Sequence, residues 1–353
     1  MANVQKQFSD FNDKIRLRRF DENQILREKR DAVRDRLDEK LPGVFKEHEE
    51  ECPGYYYRNQ GSYELDTGVV PLDGDFDIDQ GIYFAVSTSD YPDPVVLKER
   101  VHEALDGHTK DVRIRRPCVT VQYQRGGEPV YHVDMAVYSD GAENTDGKSR
   151  LAVGRENSAE EYRKWEVSSP QALIDTIIGR FTTESDRKQF RRIVRYLKRW
   201  KDQNFSPDGN AAPLGIGLTV ATYDDLRPEY SDPTAGTPDD LLAMRNLVRA
   251  ILGRFTTGYD AEQGKVRRPL KVLLPVEPWN DLFEQMTDTQ MTRFEEKLEQ
   301  FRDALDAADR AVDPHDAAKE LQKVLGDDFP VPEKKDTATQ HATSAFVTSS
   351  NSA

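Results

Sequence analysis

Two acidic residues alternate with apolar ones in the segment Phe76-Asp77-Ile78-Asp79-Gln80-Gly81-Ile82-Tyr83. Alternate side chains of an extended backbone share one face, so both carboxylates would point the same way. The apolar residues from Gly81 to Val86 predict a buried strand, which would hold the carboxylates rigidly. Such carboxylates suit Mg²⁺ as ligands. The alternative is a solvated acidic loop, since Asp73 and Asp75 continue the alternation upstream.

A third carboxylate lies inside a second apolar run. Asp134 interrupts the run from Val130 to Tyr138, which predicts another strand. An ionised carboxylate in an apolar strand is costly unless it is paired or bound to a metal. A structural partner for an arginine is one alternative, but together with Asp77 and Asp79 this residue favours a two-metal site. His132 shares its face, and we expect a packed, hydrogen-bonded histidine there.

A Gly-Ser pair lies upstream of the carboxylates, after an aromatic run. Gly61 would let the backbone approach a phosphate closely, and Ser62 at a helix start would offer an N–H and a hydroxyl group. Such a pair is common in turns. Its value as a signal comes from its order and spacing relative to Asp77 and Asp79.

This order of motifs resembles the polymerase-β-like nucleotidyltransferases, which have a helix-opening Gly-Ser, a strand with two aspartates and a third aspartate on a neighbouring strand. Within that superfamily the chain is more similar to the bacterial cGAS/DncV-like nucleotidyltransferases, the CD-NTases. The order of elements is similar over about residues 8–325. The most similar stretches are Phe76–Tyr83, His132–Tyr138 and Arg195–Trp200.

The resemblance implies an α+β fold with two lobes and an active site in the cleft between them. One lobe would be a polymerase-β-like core, a mixed sheet with helices, and the other a C-terminal helical lobe. We expect the nucleotidyltransferase lobe, with its N-terminal helix, over residues 1–165 and the helical lobe over residues 166–332. Residues 333–353 are rich in Thr, Ser and Ala, which is typical of a disordered tail.

The resemblance also implies an activity and the residues that perform it. Asp77, Asp79 and Asp134 would be the catalytic and metal-binding residues, with two Mg²⁺ ions as cofactor and Mn²⁺ as a substitute. The residues expected to bind the nucleotide are Gly61, Ser62 and Lys198. The expected reaction makes a cyclic di- or trinucleotide second messenger from nucleoside triphosphates, ATP among them, in bacterial anti-phage (CBASS) signalling. A regulatory protein partner and a downstream cyclic-nucleotide effector would accompany it.

Two other functions compete with this interpretation. A nucleotidyltransferase of the same fold could modify an RNA end, a small molecule or a protein, and the basic helix from Arg187 to Lys201 is compatible with RNA. A non-catalytic nucleotide sensor is disfavoured, because it has no need of three mutually repelling carboxylates.

The expected phosphate-binding residues match the pattern of the family less completely than the three aspartates do. In similar enzymes the lysine at the position of Lys198 reaches the triphosphate, but it could also be a solvated lysine on a basic helix face. The family often carries a triphosphate-binding serine in the next helix. Here the comparable stretch, residues 212–217, has no hydroxyl, and the first one is Thr219.

Composition excludes several classes of protein. The 353 residues include 50 Lys and Arg against 64 Asp and Glu, a formal net charge of -14. Proteins that coat nucleic acid need the opposite balance, so we expect no long DNA activator. No apolar run is long enough for a membrane span, and no signal core is present at the N-terminus. Cys52 and Cys118 are too few for a disulfide framework, so we expect a cytoplasmic protein with no membrane partner.

Overall fold

A computed structural model describes residues 2–17, 22–206, 212–260 and 264–334. Apart from its first two residues, the tail that we predict to be disordered lies outside these ranges.

Seven strands of the described chain form one mixed sheet. The strands are β1 (Tyr55–Asn59), β2 (Phe76–Phe84), β3 (Asp111–Ile114), β4 (Val119–Arg125), β5 (Glu128–Ser139), β6 (Arg150–Val153) and β7 (Lys164–Val167). Their order is β1-β2-β5-β4-β3, while β6 pairs with the end of β5 and β7 pairs with β6. Strands β2 and β5 are parallel, and the other pairs are antiparallel. The predicted mixed sheet is confirmed.

Helices alternate with the strands in the first half of the chain and dominate the second half. The first group is α1 (Gln5–Ile15), α2 (Glu22–Glu47), α3 (Gly61–Glu64) and α4 (Val95–Leu105). The second group is α5 (Pro170–Ile178), α6 (Glu184–Asn204), α7 (Gly215–Asp225), α8 (Asp240–Gly253), α9 (Asp288–Arg310) and α10 (Pro314–Leu325). Among the described residues, none of these helices is both long and apolar enough to span a bilayer.

One face of the sheet is covered by α2 and α4. Apolar side chains of both helices pack with Ile78 and Ile82 of β2 and with Val133 and Val137 of β5 in one buried cluster. Since successive strand residues point to opposite faces, the residues between them point away from these helices. Asp77, Asp79 and Asp134 therefore lie on the other face, the one that carries the candidate site.

A second buried cluster unites the helices of the C-terminal half. Helix α1, which we assigned to the lobe of residues 1–165, packs in this second cluster instead. Its Phe8 and Phe11 rings each lie near the rings of Tyr196 on α6 and Phe329, with centroids 5.2 to 5.4 Å apart. The aromatic pocket of the helical half buries the apolar stripe of α1 completely, which explains the difference. For the rest of the chain the boundary at residues 165/166 stays a prediction.

Helix α6 is central to the second cluster and to the site. Its first turn is capped by Thr183, whose hydroxyl accepts the Asp186 N–H at 3.1 Å. Apolar residues recur along it at spacings of three and four, and all are buried: Phe190, Ile193, Val194, Leu197 and Trp200. The predicted amphipathic helix is therefore present, with its apolar stripe inside the helical core.

Candidate functional site

The parallel pairing of β2 with β5 brings the three aspartates together. The register sets Asp77 opposite His132 and Asp79 opposite Asp134. All four side chains share the face of the sheet that α2 and α4 leave free, because they are separated by two residues along each strand. The sequence pattern predicted this grouping on neighbouring strands.

The acidic alternation begins in a turn and continues into the strand. Strand β2 begins at Phe76, and the preceding turn contains Asp73 and Asp75, whose N–H donates to the Asp73 carboxylate at 3.2 Å. Asp75 still contributes to the site, because its Oδ1 lies 3.2 Å from Nδ1 of His132. The acidic stretch is thus partly turn and partly strand, rather than one solvated loop.

The carboxylates of the site resist simultaneous ionisation. Burial, followed by the charges of Asp77 and Asp134, raises the pKa of Asp79 to about 7. Burial and the Asp77 carboxylate also raise the pKa of Asp134. Carboxylates that repel one another in this way are stabilised in their ionised forms by a bound cation.

We expect the substitution Asp79→Asn to stabilise the metal-free protein at neutral pH. The raised pKa means that the folded state binds a proton more tightly than the unfolded state, so the wild-type carboxyl costs stability above its unfolded pKa of about 4. The cost grows as the pH rises toward 7. Thermal unfolding in the presence of EDTA should show the variant more stable at neutral pH, with the difference vanishing toward pH 4. An equal difference at both pH values would contradict the raised pKa.

His132 is packed within the acidic cluster through ion-pair contacts rather than through the hydrogen bonds that we expected. Its Nε2 lies 3.2 Å from Oδ1 of Asp77, and its Nδ1 faces Asp75. Burial alone would lower the pKa of His132, but these carboxylates outweigh burial and raise it to about 9. In this arrangement the imidazolium supplies the positive charge that Asp77 requires.

The donor set fits a divalent cation. Asp77, His132 and Asp134 each offer one ligand atom, and these atoms lie within 4.8 Å of one another. His132 could bind a metal only as the neutral imidazole, so a bound cation would have to displace its proton. Asp79 is not part of this group, but it pairs with Asp134 in the strand register. Carboxylate oxygens are the ligands that Mg²⁺ and Mn²⁺ prefer, which agrees with the metal site expected from the sequence.

Thr120 is a site residue that the sequence analysis missed. It pairs with Asp134 across β4 and β5, and its hydroxyl donates to Oδ1 of Asp134 at 2.5 Å. This contact occupies one carboxylate oxygen and leaves the other for a ligand. Thr120 therefore orients Asp134 from β4, whereas Asp77 and Asp79 lie on β2, on the other side of β5.

We expect Thr120→Val to lower turnover by about 10-fold to 100-fold, the range typical for partners of metal-binding residues. Valine matches threonine in shape but cannot donate to Asp134, so the carboxylate loses its fixed orientation. Thr120→Ser keeps the hydroxyl and should restore most of the activity. Initial rates of nucleotide consumption, with melting temperatures for all three proteins, give the measurement. Equal losses in the Val and Ser variants would show that packing rather than the hydroxyl matters.

Gly61 allows Asp79 to occupy the site. Its φ of +65° belongs to the left-handed region, and a Cβ on it would lie 1.7 Å from Oδ2 of Asp79. The backbone is tied to the same residue, because the Gln60 N–H donates to the Asp79 carbonyl at 3.2 Å. Helix α3 starts here, so the Gly61-Ser62 turn lies directly against the metal-binding strand.

We expect Gly61→Ala to cost at least about tenfold in turnover, since displacements of about 1 Å in a catalytic group can cost 10²-fold. The added methyl group must push the Asp79 carboxylate out of the cluster. Gly126→Ala is the matched control, because Gly126 has a φ of +64° but nothing within 4 Å of its added Cβ. Only the first variant should lose activity, as measured by product formation. If both variants behave alike, backbone strain rather than contact with Asp79 is the cause.

A cavity of about 270 Å³ connects the Gly-Ser turn with the carboxylates. It is called the cleft cavity here, and its lining includes Ser62, Gly68, Asp77, Lys198 and Gly215. The sheet, α6 and α7 contribute these residues. The structure thus places Ser62, Lys198 and Asp77 around one space. Asp79 and Asp134 are neighbours of Asp77 on the same face of the sheet.

Lys198 is not a solvated residue. Its Nζ donates to the carbonyl of Thr67 at 3.1 Å and lies 3.3 Å from the hydroxyl of the same residue. Burial, with a contribution from Lys201, lowers the pKa of Lys198 to about 8. The hydroxyl of Thr219 donates back to the Gly215 carbonyl in its own helix at 3.0 Å. That hydroxyl is therefore engaged within α7.

Most neighbouring cations on α6 are also engaged internally. Arg192 donates to both oxygens of the fully buried Asp240 at 2.7 and 2.8 Å. Arg195 and Arg199 are 3% and 2% exposed. The sequence suggested a basic face open to solvent, and the structure instead buries much of it against the rest of the chain.

Part of the chain matches a known family of domains. Residues 56–138 match the family described as cyclic GMP-AMP synthase DncV-like, nucleotidyltransferase domain. Over 175 residues the chain is 27% identical to a cyclic GMP-AMP synthase of Escherichia albertii, covering 46% of this chain and 36% of that protein. The chain thus spans about a third of the length of this curated relative.

Solved structures share the whole fold. Vibrio cholerae DncV cyclic AMP-GMP synthase is similar with a TM-score of 0.65 and 18% identity, over 94% of this chain and 98% of that chain. E. coli MS115-1 CdnC, in a structure with ATP, is similar with a TM-score of 0.64 and 20% identity, over 92% and 98%. These similarities confirm the α+β fold with a helical C-terminal region. Residues 56–138 of the chain are therefore similar to the DncV-like nucleotidyltransferase domain, and the chain shares the fold of V. cholerae DncV over nearly its whole length.

Proposed function

We propose that the protein is a Mg²⁺-dependent nucleotidyltransferase that makes a cyclic di- or trinucleotide from nucleoside triphosphates, ATP among them. The observation that carries this proposal is the register of β2 and β5. It sets Asp79 opposite Asp134, beside Asp77, next to a cavity lined by Ser62 and Lys198. This arrangement combines metal ligands with phosphate-binding groups, which is what nucleotidyl transfer requires.

Each residue has a separate task in the proposed reaction. Asp77 and Asp79 would hold the ion on the triphosphate, and with Asp134 they would hold the ion near the attacking hydroxyl. Bound Mg²⁺ supplies positive charge that neutralises the transferring phosphoryl group and lowers the pKa of that hydroxyl. Asp134, oriented by Thr120, keeps one oxygen available to take the proton of the 3′- or 2′-hydroxyl.

The remaining residues would bind the triphosphate. The turn at Gly61 and Ser62 offers backbone N–H groups and a hydroxyl at the start of α3. Lys198 would exchange its contacts with Thr67 for contacts with phosphate oxygens. Because Thr219 is engaged within its own helix, the phosphate contacts of this protein would rest on Lys198 and the Gly-Ser turn.

Synthesis of a cyclic product requires two nucleotides in one cleft. A second cavity of about 330 Å³ adjoins the cleft cavity and shares Pro71, Asp75, Lys201 and Asp202 with it. Among the structural relatives, V. cholerae DncV has been solved in complex with the linear intermediate 5′ pppA(3′,5′)pG. The two adjoining cavities support a donor and an acceptor nucleotide bound together.

The product distinguishes this function from the alternative. The purified protein is incubated with all four NTPs and Mg²⁺ or Mn²⁺, treated with phosphatase and analysed by mass spectrometry. We expect a phosphatase-resistant cyclic oligonucleotide, because a ring has no terminal phosphate. Linear, phosphatase-sensitive oligonucleotides or a labelled RNA end, small molecule or protein would contradict the proposal. The internal contacts of Arg192, Arg195 and Arg199 leave fewer cations for an RNA backbone, which disfavours RNA as acceptor.

One structural relative supports a proposal for the biological setting. E. coli MS115-1 CdnC has been solved in a complex with HORMA-deltaN. We propose that a regulatory protein partner also controls this enzyme, in the cytoplasm, and that its product activates an effector in anti-phage (CBASS) signalling. A pull-down of the tagged enzyme from its host, followed by activity assays with the recovered protein, tests the regulatory part. Turnover that is unchanged by every recovered partner would contradict it.

A further inference from the structure

We infer that Arg195 and Arg199, two arginines of α6, position one wall of the cleft cavity and thereby set its affinity for a triphosphate. They act through residues 66–70, called the strap here, which leave α3 and lead toward β2. The inference rests on the proposed function, because it assigns the triphosphate to this cavity.

The strap is built against the Gly-Ser turn. The N–H of Thr67 donates to the Ser62 carbonyl at 2.9 Å. A Cβ on Gly68 would lie 3.8 Å from the Ser62 hydroxyl oxygen, so the strap backbone passes beside that hydroxyl. Gly68 and Val69 line the cleft cavity together with Ser62. Any displacement of the strap therefore changes the space in which Ser62 would meet a phosphate.

Three cations on one face of α6 donate to carbonyls of the strap. Arg195 Nη1 contacts the Asp66 carbonyl at 2.6 Å, and Arg199 Nη2 contacts the Val70 carbonyl at 2.7 Å. Between them, Lys198 contacts the carbonyl of Thr67. Residues three and four apart lie on the same helix face, so the three donors match successive acceptors along the strap.

Burial of the two arginine side chains is energetically unfavourable. Their side chains are buried, and burial lowers the pKa of both Arg195 and Arg199. Arg195 bonds Asn12 through Nε at 2.9 Å, a neutral partner. Arg199 lies no closer than 3.4 Å to the carboxylate of Asp328. Burial of a guanidinium group is expensive, and the bonds to the strap carbonyls, at 2.6 and 2.7 Å, are the shortest polar contacts that offset it in each arginine.

This arrangement separates two roles on one helix. Lys198 lines the cavity and is the cation available to a triphosphate, at the expense of its contacts with Thr67. Arg195 and Arg199 would keep the strap in place when Lys198 turns toward phosphate. They are positioning residues, and their loss should weaken binding of the triphosphate without affecting the nucleoside.

The test compares ATP with AMP. Dissociation constants of both nucleotides, in the presence of Mg²⁺, are measured for the wild type, Arg199→Gln and Arg199→Lys. We expect Arg199→Gln to bind ATP about tenfold more weakly, the effect of losing one charge-assisted hydrogen bond, with AMP affinity unchanged. The ATP affinity of Arg199→Lys should lie between those of the wild type and Arg199→Gln, because lysine keeps the charge and can donate one hydrogen bond. KM for ATP should rise more than kcat falls.

Arg245→Gln is the matched control. Arg245 on α8 pairs with Asp306 and Asp309 of α9, both at 2.7 Å, so its loss removes a structural arginine of the same helical half. Its melting temperature should fall while the ratio of ATP to AMP affinity stays at the wild-type value.

Two results would overturn the inference. An unchanged affinity ratio in folded Arg199→Gln, or equal losses for ATP and AMP, would make Arg199 a structural residue only. If the Gln variant does not fold, the Lys variant decides by the same ratio. A wild-type protein that binds no ATP would overturn the proposed function and this inference together, whereas an altered product would overturn the proposed function and leave this inference intact.

Discussion

We expect Asp77→Ala and Asp79→Ala each to leave a folded protein that makes no detectable product. Both residues belong to β2 and face the cavity side of the sheet, where the structure groups them with Asp134. Removal of either carboxylate takes away a ligand that positions the metal and its charge. We expect a loss of at least about 10²-fold, which is typical when one preorganised charge-stabilising group is deleted.

Glu128→Ala is the control for this pair of variants. Glu128 is an exposed carboxylate at the start of β5, the strand that carries Asp134, but it lies six residues from the site. The assay follows product by mass spectrometry, with far-UV circular dichroism to check the fold. The control should retain wild-type rates. Near wild-type activity of either Asp77→Ala or Asp79→Ala would refute the site assignment.

Asp134→Asn should bind ATP with Mg²⁺ and yet make almost no product. Asparagine keeps the shape of the residue and can still accept the Thr120 hydroxyl, so the strand pairing is preserved. It cannot take a proton and is a weaker metal ligand. Because Asp77 and Asp79 remain, the ion on the triphosphate would still be held. The loss should therefore appear in kcat rather than in nucleotide affinity.

Equilibrium binding of an ATP analogue that cannot be hydrolysed, beside single-turnover rates, separates the two effects. We expect binding within about threefold of the wild type and a fall in the rate of at least about 10²-fold. Loss of nucleotide binding together with turnover would mean that Asp134 supports the structure of the site. The assignment of the two-metal site would then have to change.

Local patterns in the sequence were sufficient to predict much of this protein. The alternation of Asp77 and Asp79 with apolar residues, and the single carboxylate of Asp134 in an apolar run, predicted a shared face on neighbouring strands. The structure has that arrangement, because the side-chain period of a strand is two residues whatever surrounds it. The apolar residues of α6 recur with the period of a helix, and in the same way they predicted which side of this helix is buried.

The sequence could not predict that two arginines of α6 would be buried, or against which core α1 would pack. Arginines such as Arg195 and Arg199 are mostly exposed in proteins, and contacts made by the tertiary structure, among them those to the strap carbonyls, make their burial tolerable. The short helix α1 has an apolar stripe that could cover either core. Its packing against Tyr196 depends on contacts almost two hundred residues away in the chain.

The sequence alone predicted the three aspartates of the candidate metal site, and the tertiary structure decided which neighbours orient them. Next to the hairpin turn, Arg125 pairs with Glu128. If this register continued along both strands, Thr120 would pair with Val133, which points to the covered face. An irregularity between Tyr123 and Gln124 shifts the register by one residue and pairs Thr120 with Asp134 instead. A shift of one residue exchanges the two faces of a strand, so this single irregularity brings the Thr120 hydroxyl to the site. Periodicity is local and can be read from the chain, whereas register depends on how two strands pack together.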